Sequence, residues 1–259
     1  MSFHRNGSAV GIVSVIVSAL ILGTSGSAMA AEDQPAPARS VVEDVNEAAP
    51  ALDVAQGADV SSTRAAAIVS SAGEGASQVV VPRSAAAGVR FSTEDGDALS
   101  IGLPLSTQAL STQAQPAQVV EGTAVYGDQT TDVSVAVQPI GDGSVRALIA
   151  IPDAQAPAEY RFPVTVPPGG GIELMEDGSV EIINGEGETI AVFAPAWAKD
   201  ANGKDLASSY RVEGNTVVQT VDLAAADAFP VIADPWVQGD CGRVTCTVRF
   251  APSGHSQFA

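Results

Sequence analysis

Two cysteines, one histidine beyond the N-terminal stretch and a surplus of carboxylates make up the chemically capable residues of this chain. Cys241 and Cys246 lie five positions apart in "DCGRVTCTVRF", just past an Asp-Pro step. A Cys-His or Ser-His-Asp arrangement needs an imidazole held by a rigid scaffold beside its nucleophile. His255 lies in the small-residue tail "APSGHSQFA", a poor scaffold, so histidine-dependent catalysis and a zinc site are both disfavoured. The cysteines are read instead as a disulfide staple, the pairing favoured by an oxidising compartment. Closing so short a loop restricts the unfolded chain by only about 2 kcal/mol.

The carboxylates could supply a glycosidase-type acid and nucleophile or base, which need one pair held roughly 5–10 Å apart across a cleft. "DANGKD" sets Asp200, Asn202 and Asp205 in a turn faintly like the start of a calcium loop. It lacks glycine at the sixth loop position and has Arg211 where a bidentate Glu is expected, so it reads as a polar turn. "PPGGG" at 167–171 has no Lys-Ser/Thr partner and no following helix. It is a flexible bend rather than a phosphate loop. No cofactor is expected.

The scaffold that must position these residues begins with a targeting signal. Arg5 precedes an apolar run from Ala9 to Leu22 and small residues ending in Ala28-Met29-Ala30. This is the three-part pattern of a secretory signal, with cleavage expected between Ala30 and Ala31. The apolar run falls short of the roughly 20 residues a bilayer crossing needs, and no later run reaches that length. The expected product is secreted or envelope-associated, with no transmembrane segment after signal removal. Twelve basic residues less Arg5, against 30 acidic ones, leave −19. Such a surface repels phosphate backbones, so nucleic acid is excluded as a partner.

Residues 31–77 hold no aromatic residue and are rich in Ala, Ser, Pro, Gly and acids. Such a composition buries too little apolar area to offset the cost of ordering its backbone, and predicts a disordered acidic leader. Within it "TRAAAIVSSA" is expected to form at most a transient helix. From about Gln78 the texture changes to short Val-, Ile-, Thr- and aromatic-rich runs separated by Gly, Asp, Asn and Pro, the pattern of strands and turns. "DVSVAVQ" alternates Val133, Val135 and Val137 with Ser134, Ala136 and Gln138, which predicts one buried and one wet face. Three hairpins are expected, turning at Asp142-Gly143, Asp177-Gly178 and Glu213-Gly214-Asn215. "TIAVF" is a further strand that Pro195 stops, and Trp197 is expected to cover one end of the core. "STQALSTQAQPAQ" at 106–118 is a loop between strands.

The ordered motifs "EYRFPVTVPPGGGIELMEDGSVEII", "APAWAKDANGKD", "SSYRVEGNTVVQTVD" and "FPVIADP" resemble a β-rich domain of uncharacterised secreted proteins from high-GC Gram-positive bacteria. They are similar, more distantly, to the domain preceding the YD repeats of wall-associated bacterial proteins. The resemblance implies an extracellular or envelope module and carries no catalytic residues. No YD repeats follow Pro235, so toxin delivery by a repeat shell is not implied. "CTVRF" reads like a strand entering more structure, and the chain is expected to be a shortened relative of longer proteins.

The organisation expected is thus a signal peptide at 1–30, a leader at 31–77, a mainly β domain at 78–235 and a stapled appendage at 236–259. Antiparallel hairpins should form a sandwich or curled sheet. Its expected role is non-enzymatic structural or interaction work, with an envelope polymer or protein as partner. A carbohydrate-binding module would need an exposed aromatic row of Trp197, Tyr210 and Trp236. A carboxylate hydrolase would need two close acids in a pocket.

Overall fold

The computed structural model describes residues 36–50, 60–71, 78–92, 98–111, 114–141 and 143–239. They form one α-helix, α1 (Ala36–Ala48), two 3-10 turns at Ala85–Ala87 and Leu223–Ala225, and the strands β1 (Val60–Ser61), β2 (Ala66–Ser71), β3 (Gln78–Pro82), β4 (Val89–Ser92), β5 (Ala98–Ile101), β6 (Gln118–Val120), β7 (Thr123–Gly127), β8 (Ser134–Pro139) and β9 (Ser144–Ile151). Next come β10 (Glu159–Thr165), β11 (Gly171–Leu174), β12 (Val180–Ile183), β13 (Thr189–Phe193), β14 (Trp197–Lys199), β15 (Asp205–Leu206), β16 (Ser208–Glu213), β17 (Thr216–Val221), β18 (Val231–Asp234) and β19 (Trp236–Gly239). Among the described residues no helix is long and apolar enough to cross a membrane.

Two antiparallel sheets result, the mainly β fold expected from the alternation. The first runs β1-β2-β3-β4-β5-β10-β17-β16. The second runs β6-β7-β8-β9, after which β18 and β19 lie end to end along the far side of β9. β14 then pairs with β18, and β13 with β19. The inward faces share one apolar core: Ile68, Val79, Val81, Phe91, Phe162 and Val217 from the first sheet meet Val135, Val137, Ile149, Ile151, Ile182, Phe193 and Val231 from the second. Such a core exists because period-two side chains on each sheet are removed from water together. The Tyr126 hydroxyl of the second sheet donates to the Pro82 carbonyl of the first.

All three expected hairpins form, as β8–β9, β11–β12 and β16–β17. Gly143, Gly178 and Gly214 each hold a positive φ, of 85°, 86° and 58°.

The leader departs from expectation over part of its length. Residues 36–48 are helical, with Ala38, Val42 and Val45 on one stripe against Val125, Ala136, Leu148 and Ile232 of the second sheet. Pro37 is tolerated in the first turn, where no intrahelical N–H is required, and Pro50 follows the end. The expected transient helix at 63–72 is instead strand β2 over Ala66–Ser71, paired with β1 and β3. Its β-branched Ile68 and Val69 fit a half-buried sheet, and Ile68 joins the common core. The face of β8 expected to be wet is accordingly covered: Ala136 and Gln138 are both 0% exposed.

The glycines of "PPGGG" serve a close backbone crossing more than a flexible bend. A Cβ on Gly170 would stand 2.3 Å from the Ile183 carbonyl oxygen, and one on Gly185 would stand 2.6 Å from that of Pro168. Gly170→Ala is therefore expected to cost about 1–3 kcal/mol by forcing the two segments apart. A chemical-denaturation midpoint shifted by less than Gly178→Ala, whose added Cβ meets nothing within 4 Å but takes up a positive φ, would contradict this.

Candidate functional site

Two prolines interrupt the middle of the second sheet at the same level. Pro195 separates β13 from β14, and Pro235 separates β18 from β19, because neither can donate to a ladder. The interruption brings polar groups together on both sides of the sheet.

On the inner side stands a cross-strand row, Tyr160–Gln219–Tyr210, from β10, β17 and β16. The Tyr210 hydroxyl donates to the Asp234 carbonyl oxygen at 3.2 Å. The Gln219 Nε2 donates to Ser208 Oγ at 3.0 Å and reaches the carbonyls of Trp197 at 3.4 Å and Asp234 at 3.5 Å. Side chains of the first sheet thus clamp backbone oxygens of the second. Burial pushes the Tyr210 phenol up, and the neighbouring Asp234 charge pushes it further.

On the outer side, Gln138, Arg146 and Trp236 form a second row across β8, β9 and β19. Helix α1 closes over part of it. Gln138 Nε2 donates to Asn46 Oδ1 and to Thr123 Oγ1, both at 3.1 Å. Arg146, only 6% exposed, donates to the Ala49 carbonyl at 3.0 Å. Asp234 is 2% exposed, and its Oδ2 accepts the Trp197 indole N–H at 2.9 Å. Its Oδ1 has no hydrogen-bond partner among the described residues. Burial pushes the Asp234 carboxyl up to about 6, against the opposing pull of the Arg146 charge and the Trp197 N–H. Burial lowers Arg146 in turn.

A cleft of about 260 Å³ opens beside this cluster, lined by Asp44, Glu47, Lys199, Asp200, Asn202 and Ile232 among others. Asp44 is held above the ordinary carboxylate range by burial, then by the charges of Glu47 and Glu43. Asp200 shows the opposite balance. Burial alone would raise it, but the backbone N–H groups of Lys204, Asp227, Asn202 and Ala228 outweigh that and hold it low. Its Oδ1 accepts from Asn202 and Lys204 and its Oδ2 from Asp227. "DANGKD" is therefore a turn closed by its own aspartate, joining β14 to β15, and Asp205 points away from it, exposed. Among the described residues no group of three or more His, Cys, Asp or Glu side chains could hold a metal ion.

The aromatic row proposed for carbohydrate binding does not assemble. Tyr210 faces the core at 6% exposure, stacked edge-on to Phe193 at 6.1 Å. Trp197 and Trp236 are half-buried on the opposite face. Trp197 packs against the helix-side cluster rather than over an end of the sandwich core. Period two decides this: Ala198 and Ala233 point inward, so Trp197 and Asp234 point outward. Cys241, Cys246, His255 and the signal-site residues Ala28, Ala30 and Ala31 lie outside the described residues.

Asp234, Arg146 and Gln219 escaped the sequence reading and Gln138 was expected on a wet face, although each is a polar residue within or at the end of an apolar strand. Arg146 in "SVRALIAI" and Gln219 in "TVVQTV" are the available signals. A buried polar residue is informative because it must find partners. Compared with protein-family models, with curated proteins and with solved structures, the chain matches none of them.

Proposed function

We propose that the chain is an exported, non-enzymatic module making structural or binding contacts at or beyond the cell envelope, of the same kind as the β-rich secreted proteins it resembles. The observation that carries this reading is the tip of the β11–β12 hairpin. Leu174 and Met175 are 48% and 37% exposed there, flanked by the exposed acids Glu173, Glu176 and Asp177. β11 is also the terminal strand of the second sheet, with β12 as its ladder neighbour. Apolar side chains on a terminal strand offer side-chain contacts beside a ladder that a partner strand could extend, the elements of strand addition.

Co-sedimentation of the purified chain with isolated envelopes tests this. The double variant Leu174→Glu/Met175→Glu, altered only at exposed positions, should bind at least about tenfold more weakly, equivalent to roughly 1.4 kcal/mol. Wild-type chain that fails to sediment with envelopes removes the proposal. Loss of binding in Trp197→Ala and Trp236→Ala, with the hairpin variant unaffected, would favour the carbohydrate reading. The export half is read from the secreted protein, whose first residue should be Ala31.

A further inference from the structure

We propose that the folded chain cleaves its own Asp234–Pro235 peptide bond, using the Asp234 carboxyl as nucleophile. Three features of the proline interruption converge on that bond. The carboxyl is inside the protein, and one of its oxygens is uncommitted: Oδ2 is tethered by Trp197 at 2.9 Å, while Oδ1 has no partner among the described residues. The carbonyl that would be attacked is already polarised, its oxygen receiving the Tyr210 hydroxyl at 3.2 Å and lying 3.5 Å from the Gln219 amide nitrogen. Donors fixed on a carbonyl oxygen in a water-poor site stabilise the oxyanion that attack creates. The amide is also one whose nitrogen departs as a secondary amine, which takes up a proton readily. The segment beyond the bond is pinned, with the Pro235 carbonyl accepting from Ala147 N–H at 3.0 Å and the Trp236 carbonyl from Ala194 N–H at 2.9 Å.

The chemistry balances without a cofactor. Oδ1 attacks the carbonyl carbon of the same residue and closes a five-membered cyclic anhydride. The bond to the Pro235 nitrogen breaks, and the carboxyl proton passes to that nitrogen. Water then opens the anhydride, leaving two carboxyl groups on residue 234. One peptide bond and one water molecule are consumed. Covalent attachment of nucleophile and electrophile makes the attack intramolecular, which removes the entropic cost of bringing them together.

The carboxyl must carry the proton it delivers, so the reaction should accelerate as pH falls through about 6, where Asp234 titrates. The charged and titratable groups bearing on it are Arg146 from β9 and the Tyr210 phenol from β16. Helix α1 and β14 bring Asp44, Glu47 and Lys199 to the cleft beside Ile232, two residues upstream.

The test is mass spectrometry under denaturing conditions of the full chain after incubation at about pH 5 and about pH 7.5. A fragment beginning at Pro235 should accumulate, faster at the lower pH, and its partner should carry one heavy oxygen on Asp234 after incubation in ¹⁸O water. Tyr210→Phe should slow cleavage by up to roughly 10²-fold, the effect of losing one oxyanion donor, while Asp234→Ser should abolish it. Wild-type chain held at the same pH in guanidinium should cleave far more slowly, because only the fold aligns the donors. An intact wild-type chain, equal rates in the folded and denatured states, or an unaltered rate in a Tyr210→Phe variant with native circular dichroism would each overturn the proposal. The guanidinium comparison needs no variant and decides the matter even where Tyr210→Phe does not fold.

Discussion

Arg146→Met is expected to destabilise the protein by about 2–4 kcal/mol near pH 7.5, through the lost charge-assisted hydrogen bond to Ala49 and the loss of the opposite charge bearing on buried Asp234. Arg146 is 6% exposed, and its charge is the larger of the two influences, ahead of the Trp197 N–H, that hold the Asp234 carboxyl down. Without it Asp234 must either stay ionised in an apolar setting or take a proton. Acidification supplies that proton. Near pH 5 the deficit should therefore shrink toward the lost hydrogen bond to Ala49, about 1–2 kcal/mol. Wild-type protein should itself gain stability on mild acidification. The folded carboxyl titrates at about 6 against 3.8 for the free side chain, so its contribution is fully present below about pH 4 and is lost as pH rises through 6. From pH 7.5 to pH 5 that amounts to about 1 kcal/mol. Thermal melts at both pH values check this, with Asp234→Asn flattening the dependence. An Arg146→Met deficit equal at the two pH values would show that Asp234 is not the group exposed by the loss.

Phe193→Ala carries the other large effect. Phe193 is 0% exposed on the second sheet and meets Phe162 at 6.3 Å and Tyr210 at 6.1 Å, both edge-on and both from the first sheet. Truncating a buried phenylalanine costs about 3–5 kcal/mol through lost transfer energy and the cavity left behind. Each edge-on aromatic pair adds about 0.5–1.5 kcal/mol. The loss should appear as a lower guanidinium midpoint with an unchanged slope, since the area exposed on unfolding hardly changes. Phe193→Leu, which keeps most of the volume, should lose less than half as much. A loss below 1 kcal/mol for the alanine variant would mean that the two sheets do not depend on this trio.

By contrast, the ionic ladder of Glu159, Arg161, Arg211 and Glu213 on the outer face of the first sheet should matter little. Its side chains are 39–53% exposed, so water screens these pairs and removing one should leave the unfolding midpoint nearly unchanged.

The hairpins were legible in the amino-acid sequence because their signals are local. Alternation in "DVSVAVQ" and a glycine able to take a positive φ at Gly143, Gly178 or Gly214 need no distant partner to be read. Helix α1 was only half legible. Ala38, Val42 and Val45 follow a helical stripe, but a helix this short is not stable alone. What orders it is the sheet face beneath, made of Val125, Ala136, Leu148 and Ile232 from four strands distant in sequence. Strand β2 is similar, since "AAIVSS" suits a helix nearly as well as a strand until β1 and β3 pair with it.

The polar cluster at Pro235 belongs wholly to tertiary structure. Sequence alone determined the strand period, the turns and the charge, all properties of neighbouring residues. It also placed a proline after Asp234 and another at 195. That these two interruptions meet at one level depends on long-range pairing. Only that pairing sets Tyr210 and Gln219 against the Asp234 carbonyl, and buries Arg146 near its carboxyl beneath a helix about 100 residues earlier. Hydrogen bonds and buried charges act over a few ångströms, whereas the residues that share them here come from helix α1 and from strands far apart in the chain.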